Sequence, residues 1–306
     1  MTDSKKSQLQ ATFKSQDTEE WLDIHFTRPI GLLWAKAFNA FDIHPNVITI
    51  LSIFLGAGAG LCFFSSELWV NVLGIFLLIW ANLYDSADGQ LARMTGKKTR
   101  WGRILDGFAG DVWFVMIYLA VIYRCYAEYG WQSGIYAFGL CFVAGILCHA
   151  KQSQLADYYR NIHLFFLKGE AGSELDSSAK LREEFKQLSW ETDFFWKLFL
   201  NSYTGYTLSQ EKMTPKFQAL KAHLAKRYPD GVLPQALRDE FRAGSRPLMP
   251  LANFLTFNAR AITLYISILV GHIWLYPVAE ITLFVIVFLR MRHRHEDLCE
   301  RLMQKY

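Results

Sequence analysis

The chain lacks several features that would narrow its class at once. Its first twenty residues, MTDSKKSQLQATFKSQDTEE, have no apolar core, so no cleaved signal peptide is expected. The five cysteines (Cys62, Cys125, Cys141, Cys148 and Cys299) show no C-x-x-C spacing, and most lie in apolar runs where a thiol packs as a small hydrophobe. Neither a disulfide framework nor a cysteine metal site follows from them. No internal repeat and no low-complexity tract is present. There is also little net charge, +4 in 306 residues, so the placement of charge matters more than its amount.

What is present is uneven. Hydrophobic residues make up 52% of the chain, close to a soluble average, and the mean hydropathy is only +0.11. That mean blends long apolar runs at residues 45–155 and 251–290 with a polar block between them. Runs of about 20 apolar residues suffice to cross a hydrocarbon core of about 30 Å. The pattern predicts an all-α, polytopic membrane protein with six transmembrane helices, an N-terminal interfacial helix and a cytoplasmic helical insert.

Four regions are expected in order. Residues 1–44 form a cytoplasmic tail and an amphipathic helix that starts near Pro29 and places Ile30, Leu33, Trp34, Ala37 and Phe41 on one face. Residues 45–160 hold spans one to four, and 161–250 are the insert. Residues 251–306 hold span five (Leu251 to Val270), span six (Trp274 to Leu289) and a basic tail. Within the insert, Ser177 to Phe199 has helical apolar spacing, and Thr214-Pro215 and Pro234 signal helix starts. Six spans put Lys97, Lys98, Arg100 and Arg103 on one side with Arg28, Lys36, Arg160, Arg290, Arg292 and Arg294. The opposite loops carry little beyond Arg124, so the basic side is cytoplasmic.

Asp85, Asp88, Asp106 and Asp111 stand out, because they lie at the inner ends of the second and third spans. At roughly 2.5–3.5 kcal/mol each, four uncompensated acids at membrane depth would cost on the order of 10 kcal/mol. On a helix, Asp85 and Asp88 share a face with Gly89 and Ala92, and Gly102, Asp106 and Gly110 recur at every fourth residue. Carboxylates flanked by small residues, beside a loop with Lys97, Lys98 and Arg100, fit a site for metal ions and a diphosphate. Oxygen-only ligands point to Mg2+ or Mn2+. The alternative is an interhelical polar network with Asn82 and Ser86.

These residues carry a resemblance. Asp85-x-x-Asp88-Gly89-x-x-Ala92-Arg93, followed after eight residues by Gly102-x-x-x-Asp106, resembles the signature of the CDP-alcohol phosphotransferases (CDP-alcohol phosphatidyltransferases), integral membrane enzymes of phospholipid synthesis. The RPI helix followed by HPNVIT resembles the family's entry into its first span. The resemblance implies that Asp85, Asp88 and Asp106 are metal ligands, and that a fourth aspartate completes a two-metal site and acts as general base. Gly89, Ala92 and Gly102 would make room for the CDP moiety, and Arg93 would meet phosphate oxygens. It implies transfer of a phosphatidyl or similar group from a CDP-linked lipid donor to a small polar alcohol acceptor, releasing CMP. Membrane lipids and a second copy of the chain are the other implied partners, with no nucleic acid and a bacterial inner membrane as the expected place.

One departure stands in the pattern. The family's last aspartate falls at Gly110 here, and Asp111 follows one residue later. On a regular helix Asp111 points about 140° from Asp106, so Asp111 is expected to serve as base and fourth ligand through a local π-bulge in GFAG. For the acceptor, Lys151 and Arg260 are candidate cations for an anionic group, with Arg260 pairing an acid as the alternative. The N-A-R segment inclines the reading to inositol or inositol phosphate over glycerol 3-phosphate, serine, choline or ethanolamine. His293 and His295, among Arg290, Arg292 and Arg294, read as a basic flank for anionic headgroups rather than as metal ligands. A cation-coupled transporter or a non-catalytic membrane scaffold are the readings from other classes.

Overall fold

The computed structural model describes residues 15–169, 173 and 175–306, with the side chain of Arg100 excepted. The first part of the expected tail and that loop cation therefore lie outside the described residues. All regular elements among the described residues are helical. They form two compact units: one runs to His149 and takes up Phe257–Leu283, the other comprises Ala150–Thr256 and Phe284–Tyr306.

In the first unit, a π-helical turn, Asp23–Thr27, runs into α1, Arg28–Ala40, with Pro29 in the first turn as expected. Helix α2, Pro45–Cys62, is started by His44, whose ring accepts the Asn46 N–H at 3.2 Å. Helix α3, Leu68–Thr95, ends on Gly96, which adopts the left-handed conformation at φ 70° that glycine enters without penalty. Thr99 then caps α4, Arg100–Tyr129, by accepting the Gly102 N–H at 2.9 Å. A short reversal leads to α5, Trp131–Phe142, and a π-helical stretch, Val143–His149. Helices α12, Phe257–Leu269, and α13, Leu275–Ile281, complete this unit.

Small residues let these helices close on one another. A Cβ at Gly56 would collide with the Trp113 indole, one at Gly60 with Met116, and one at Gly74 with Phe63. The core they enclose includes Ala59, Phe63, Leu78, Ala81, Trp113, Ile117 and Leu264. Helix α1 is fastened by a second cluster, Ala35, Ile48, Ala87 and Leu91, with Trp34 edge-on to Tyr84 at 5.3 Å. Large apolar side chains on the outside, such as Phe54, Trp69, Phe76, Val115 and Phe138, are exposed, as lipid-facing residues are.

The second unit contains α6, Ala150–Lys168; α7, Ser178–Gln187; α8, Phe194–Met213; α9, Pro215–Arg227; α10, Gln235–Ser245; α11, Met249–Phe254; and α14, Leu283–Lys305. Phe166 stacks on Phe241 at 3.7 Å, and Arg238 donates to the carbonyls of Phe166 and Leu167, capping the C-terminus of α6. The expected helix from Ser177 to Phe199 is two helices here. Asp193 Oδ2 accepts the Ser189 N–H at 3.1 Å in the connecting turn.

Among the described residues, four helices are long and apolar enough to cross a membrane: Pro45–Cys62, Leu68–Thr95, Trp101–Tyr129 and Trp131–Lys168. The chain is thus an all-α, multi-pass membrane protein. The segments expected as spans five and six differ from single helices. The first divides between α11 and α12, where Thr256 Oγ1 donates back to the Asn253 carbonyl at 2.6 Å. The second divides at Thr282, whose hydroxyl donates to the Val278 carbonyl at 2.8 Å. Helix α12, with 13 residues, extends only about 20 Å.

Candidate metal and phosphate site

The C-terminal third of α3 and the first turns of α4 are joined by the short link that starts at Gly96 and ends at the Thr99 cap. This geometry brings Asp85, Asp88 and Asp106 together: one carboxylate oxygen from each lies within 4.8 Å of the others. Asp88 is buried, Asp85 half-buried and Asp106 exposed, so the group sits at a wall with one side open. Asp88 is held by Thr49 of α2, which donates its hydroxyl to Asp88 Oδ2 at 2.5 Å and sits one turn after Pro45. Three carboxylates this close repel one another unless a proton or a cation lies between them. An all-oxygen set of ligands suits Mg2+ or Mn2+, which take carboxylate and water oxygens.

Arg93 completes the wall. It lies one turn beyond Gly89 on α3, and a Cβ at Gly89 would stand 3.3 Å from its Nη1. Its Nε and Nη2 are buried without a hydrogen-bond partner, an arrangement that costs roughly 1–3 kcal/mol per group unless a ligand supplies acceptors. A guanidinium fork fits phosphate oxygens. A Cβ at Gly102 would stand 3.2 Å from Asn46 Oδ1 and from Thr99 Oγ1, so glycine leaves these side chains where they are. Ala92 is half-buried on α3. Around this wall Arg28 pairs with Glu19 at 3.0 Å, Gln90 donates to the Arg28 carbonyl at 3.1 Å, and Lys97 pairs with Asp42 at 3.0 Å.

Asp111 stands apart from this group. Helix α4 is α-helical from Arg100 to Tyr129, so the π-bulge expected in GFAG is absent. The reason is local: nothing packs on Gly107 or Gly110 to force a wider turn. Asp111 is exposed on the helix surface, and the three-carboxylate group does not include it.

The two cations considered for an acceptor are differently placed. Arg260, on α12, is 1% exposed and its Nε donates to Glu280 Oε1 of α13 at 2.9 Å. Tyr276 donates its hydroxyl to the same oxygen at 3.0 Å, and His149 Nδ1 lies 3.8 Å from it. The Tyr118 hydroxyl reaches His149 Nδ1 at 3.2 Å. Lys151 belongs to the second unit, where its ammonium donates to Ser209 Oγ at 2.6 Å. His293 is exposed, as a basic flank requires, but His295 is fully buried, which corrects that expectation for His295.

Sequence reading missed Thr49 and Glu280. Thr49 gave no signal beyond a hydroxyl near the start of an apolar run. Glu280 did: it is the only acid between Phe257 and Leu289, and an acid there demands a partner such as Arg260.

Residues 42–160, the part that contains all four aspartates and Arg93, match the family model described as CDP-alcohol phosphatidyltransferase. A protein of Aquifex aeolicus (strain VF5), described as uncharacterized, is 34% identical over 98 residues, which is 32% of this chain and 48% of that protein. The chain thus spans about half the length of this relative. No solved structure matches the chain.

Proposed function

We propose that this chain, whose residues 42–160 match the CDP-alcohol phosphatidyltransferase family, is a membrane phosphotransferase that moves a phosphatidyl or similar lipid phosphoryl group from a CDP-linked donor to a small polar alcohol, releasing CMP. The observation that carries this reading is the convergence of Asp85, Asp88 and Asp106 beside Arg93, whose Nε and Nη2 are buried without a partner. Carboxylates and a cation at one wall are what a metal-bound diphosphate needs, and neither a transporter nor a scaffold requires the pair.

In this proposal Asp85, Asp88 and Asp106 hold two divalent ions, Mg2+ or Mn2+, with Asp111 as further ligand. Such ions supply neutralisation of the diphosphate charge. Arg93 grips phosphate oxygens, and Gly89, Ala92 and Gly102 leave room for the cytidine nucleotide beside the backbone. The acceptor oxygen forms its bond to the lipid-side phosphorus as the bond from that phosphorus to CMP breaks. The acceptor's proton goes to a base, for which Asp111 is the candidate. That role requires α4 to shift by one residue at GFAG.

The wider architecture proposed is six spans, two of them built from broken helices, with the site on the cytoplasmic face of a bacterial inner membrane and a homodimer as the assembled form. An inositol-type acceptor is the first choice, resting on the N-A-R segment. The test is purified protein with Mg2+ or Mn2+, a CDP-diacylglycerol donor and a panel of alcohols, scored by CMP release. CMP that appears only with one acceptor supports the reading and identifies that acceptor; no CMP with any acceptor defeats it. In the same assay Asp111→Asn should lose turnover by roughly 100-fold or more, as loss of a general base does. Wild-type turnover in that variant would remove Asp111 from the mechanism.

A further inference from the structure

A second group of ligand-type side chains lies on α14. His295, Glu296 and Cys299 each offer one ligand atom within 4.8 Å of the others, and all three are buried. His293, two residues earlier, has a side chain 78% exposed and pairs with Asp297 at 3.2 Å. His295 is turned the other way and stacks on Tyr159 with ring centroids 3.7 Å apart.

The polar atoms of this group are incompletely satisfied. Cys299 Sγ lies 3.7 Å from His295 Nδ1, while His295 Nε2, Glu296 Oε1 and the Tyr159 hydroxyl are buried without a hydrogen-bond partner. A neutral imidazole has one N–H and one lone pair, so with its proton on Nε2 the Nδ1 lone pair faces Cys299 Sγ. Glu296 is anchored through its other oxygen, which accepts the Lys216 N–H at 2.7 Å at the start of α9.

We propose that His295, Glu296 and Cys299 bind a thiophilic divalent ion, Zn2+ by its chemistry, within the second unit. In a tetrahedral zinc site with Zn–S of about 2.3 Å and Zn–N of about 2.0–2.1 Å, sulfur and nitrogen stand roughly 3.6 Å apart. The observed separation is 3.7 Å. His295 and Cys299 are one turn apart and share a helix face. A carboxylate and a thiolate cancel the charge of the ion, so it enters the interior with no net charge. This ligand set differs in kind from the oxygen-only aspartates, and it fastens α14 to the N-terminus of α9 through Glu296.

Co2+ is the probe, because a thiolate bound to it gives a near-ultraviolet charge-transfer band that carboxylates do not. Full-length protein in detergent, stripped with a chelator and titrated with Co2+, is expected to show the band, and Zn2+ is expected to abolish it by displacement. Cys299→Ser should remove the band and weaken zinc binding by at least about 10-fold, whereas Asp106→Asn should leave the band unchanged. Cys299 should also be protected from thiol reagents by Zn2+ in the unaltered protein, a measurement that stands even if the serine variant folds poorly. The proposal is overturned by absence of the band in the wild type, by a band that persists in Cys299→Ser, or by Cys299 reactivity that ignores zinc.

Discussion

Removing Glu280 alone should be far worse than removing it together with Arg260. The two form a buried pair, 0% and 1% exposed, with Nε to Oε1 at 2.9 Å. Glu280→Ala leaves the Arg260 guanidinium charged in an apolar interior and takes the acceptor from the Tyr276 hydroxyl. Breaking a buried pair in this way costs roughly 3–5 kcal/mol, and at roughly 2–4 °C per kcal/mol the apparent Tm should fall on the order of 10 °C. The double variant Arg260→Met with Glu280→Gln keeps the volume, removes both charges and leaves Tyr276 a carbonyl oxygen to donate to. Its cost should be about 1 kcal/mol. Thermal unfolding in detergent, followed by near-ultraviolet circular dichroism, reads the difference. The same two variants, assayed for CMP release, separate structure from recognition. With Arg260 committed to Glu280, the double variant should hold the acceptor KM within about two-fold; a rise of about ten-fold with kcat unchanged would refute this and make Arg260 an acceptor ligand.

Two further outcomes follow from the same geometry. Thr49→Val removes the hydroxyl that positions Asp88, and Mn2+ affinity, measured by electron paramagnetic resonance, should drop about 10-fold, with the metal requirement for turnover rising in step. Gly56→Ala drives a methyl group into the Trp113 indole, whose Nε1 donates to the Ser52 carbonyl at 3.0 Å; a loss of about 1–3 kcal/mol should appear as a lowered Tm, and an unchanged Tm would mean that α2 and α4 are less closely packed than described.

Much of the candidate site was legible in the residue order because it is built from one short stretch. Asp85, Asp88 and Arg93 lie on one helix, where periodicity groups them, and only the link from Gly96 to Thr99 separates them from Asp106, which the turn between the helices brings back to them. The spans up to residue 168 were legible for a similar reason: uninterrupted apolar length is a local property. Spans five and six were not, because the breaks at Thr256 and Thr282 leave the hydropathy of these segments unchanged.

Sequence by itself determined the class of the chain, the position of its acidic centre and the family resemblance, since each depends on neighbours along the chain. Tertiary structure alone decided which polar groups are spoken for. It gave Arg260 to Glu280, twenty residues away, and Thr49 to Asp88, thirty-nine residues away. It also buried His295 while leaving His293 in solvent, although both stand in the same basic run. The reason is physical: in a low-dielectric interior an ionisable or polar group is defined by its partner, and partners that lie on other helices are fixed only when the helices pack.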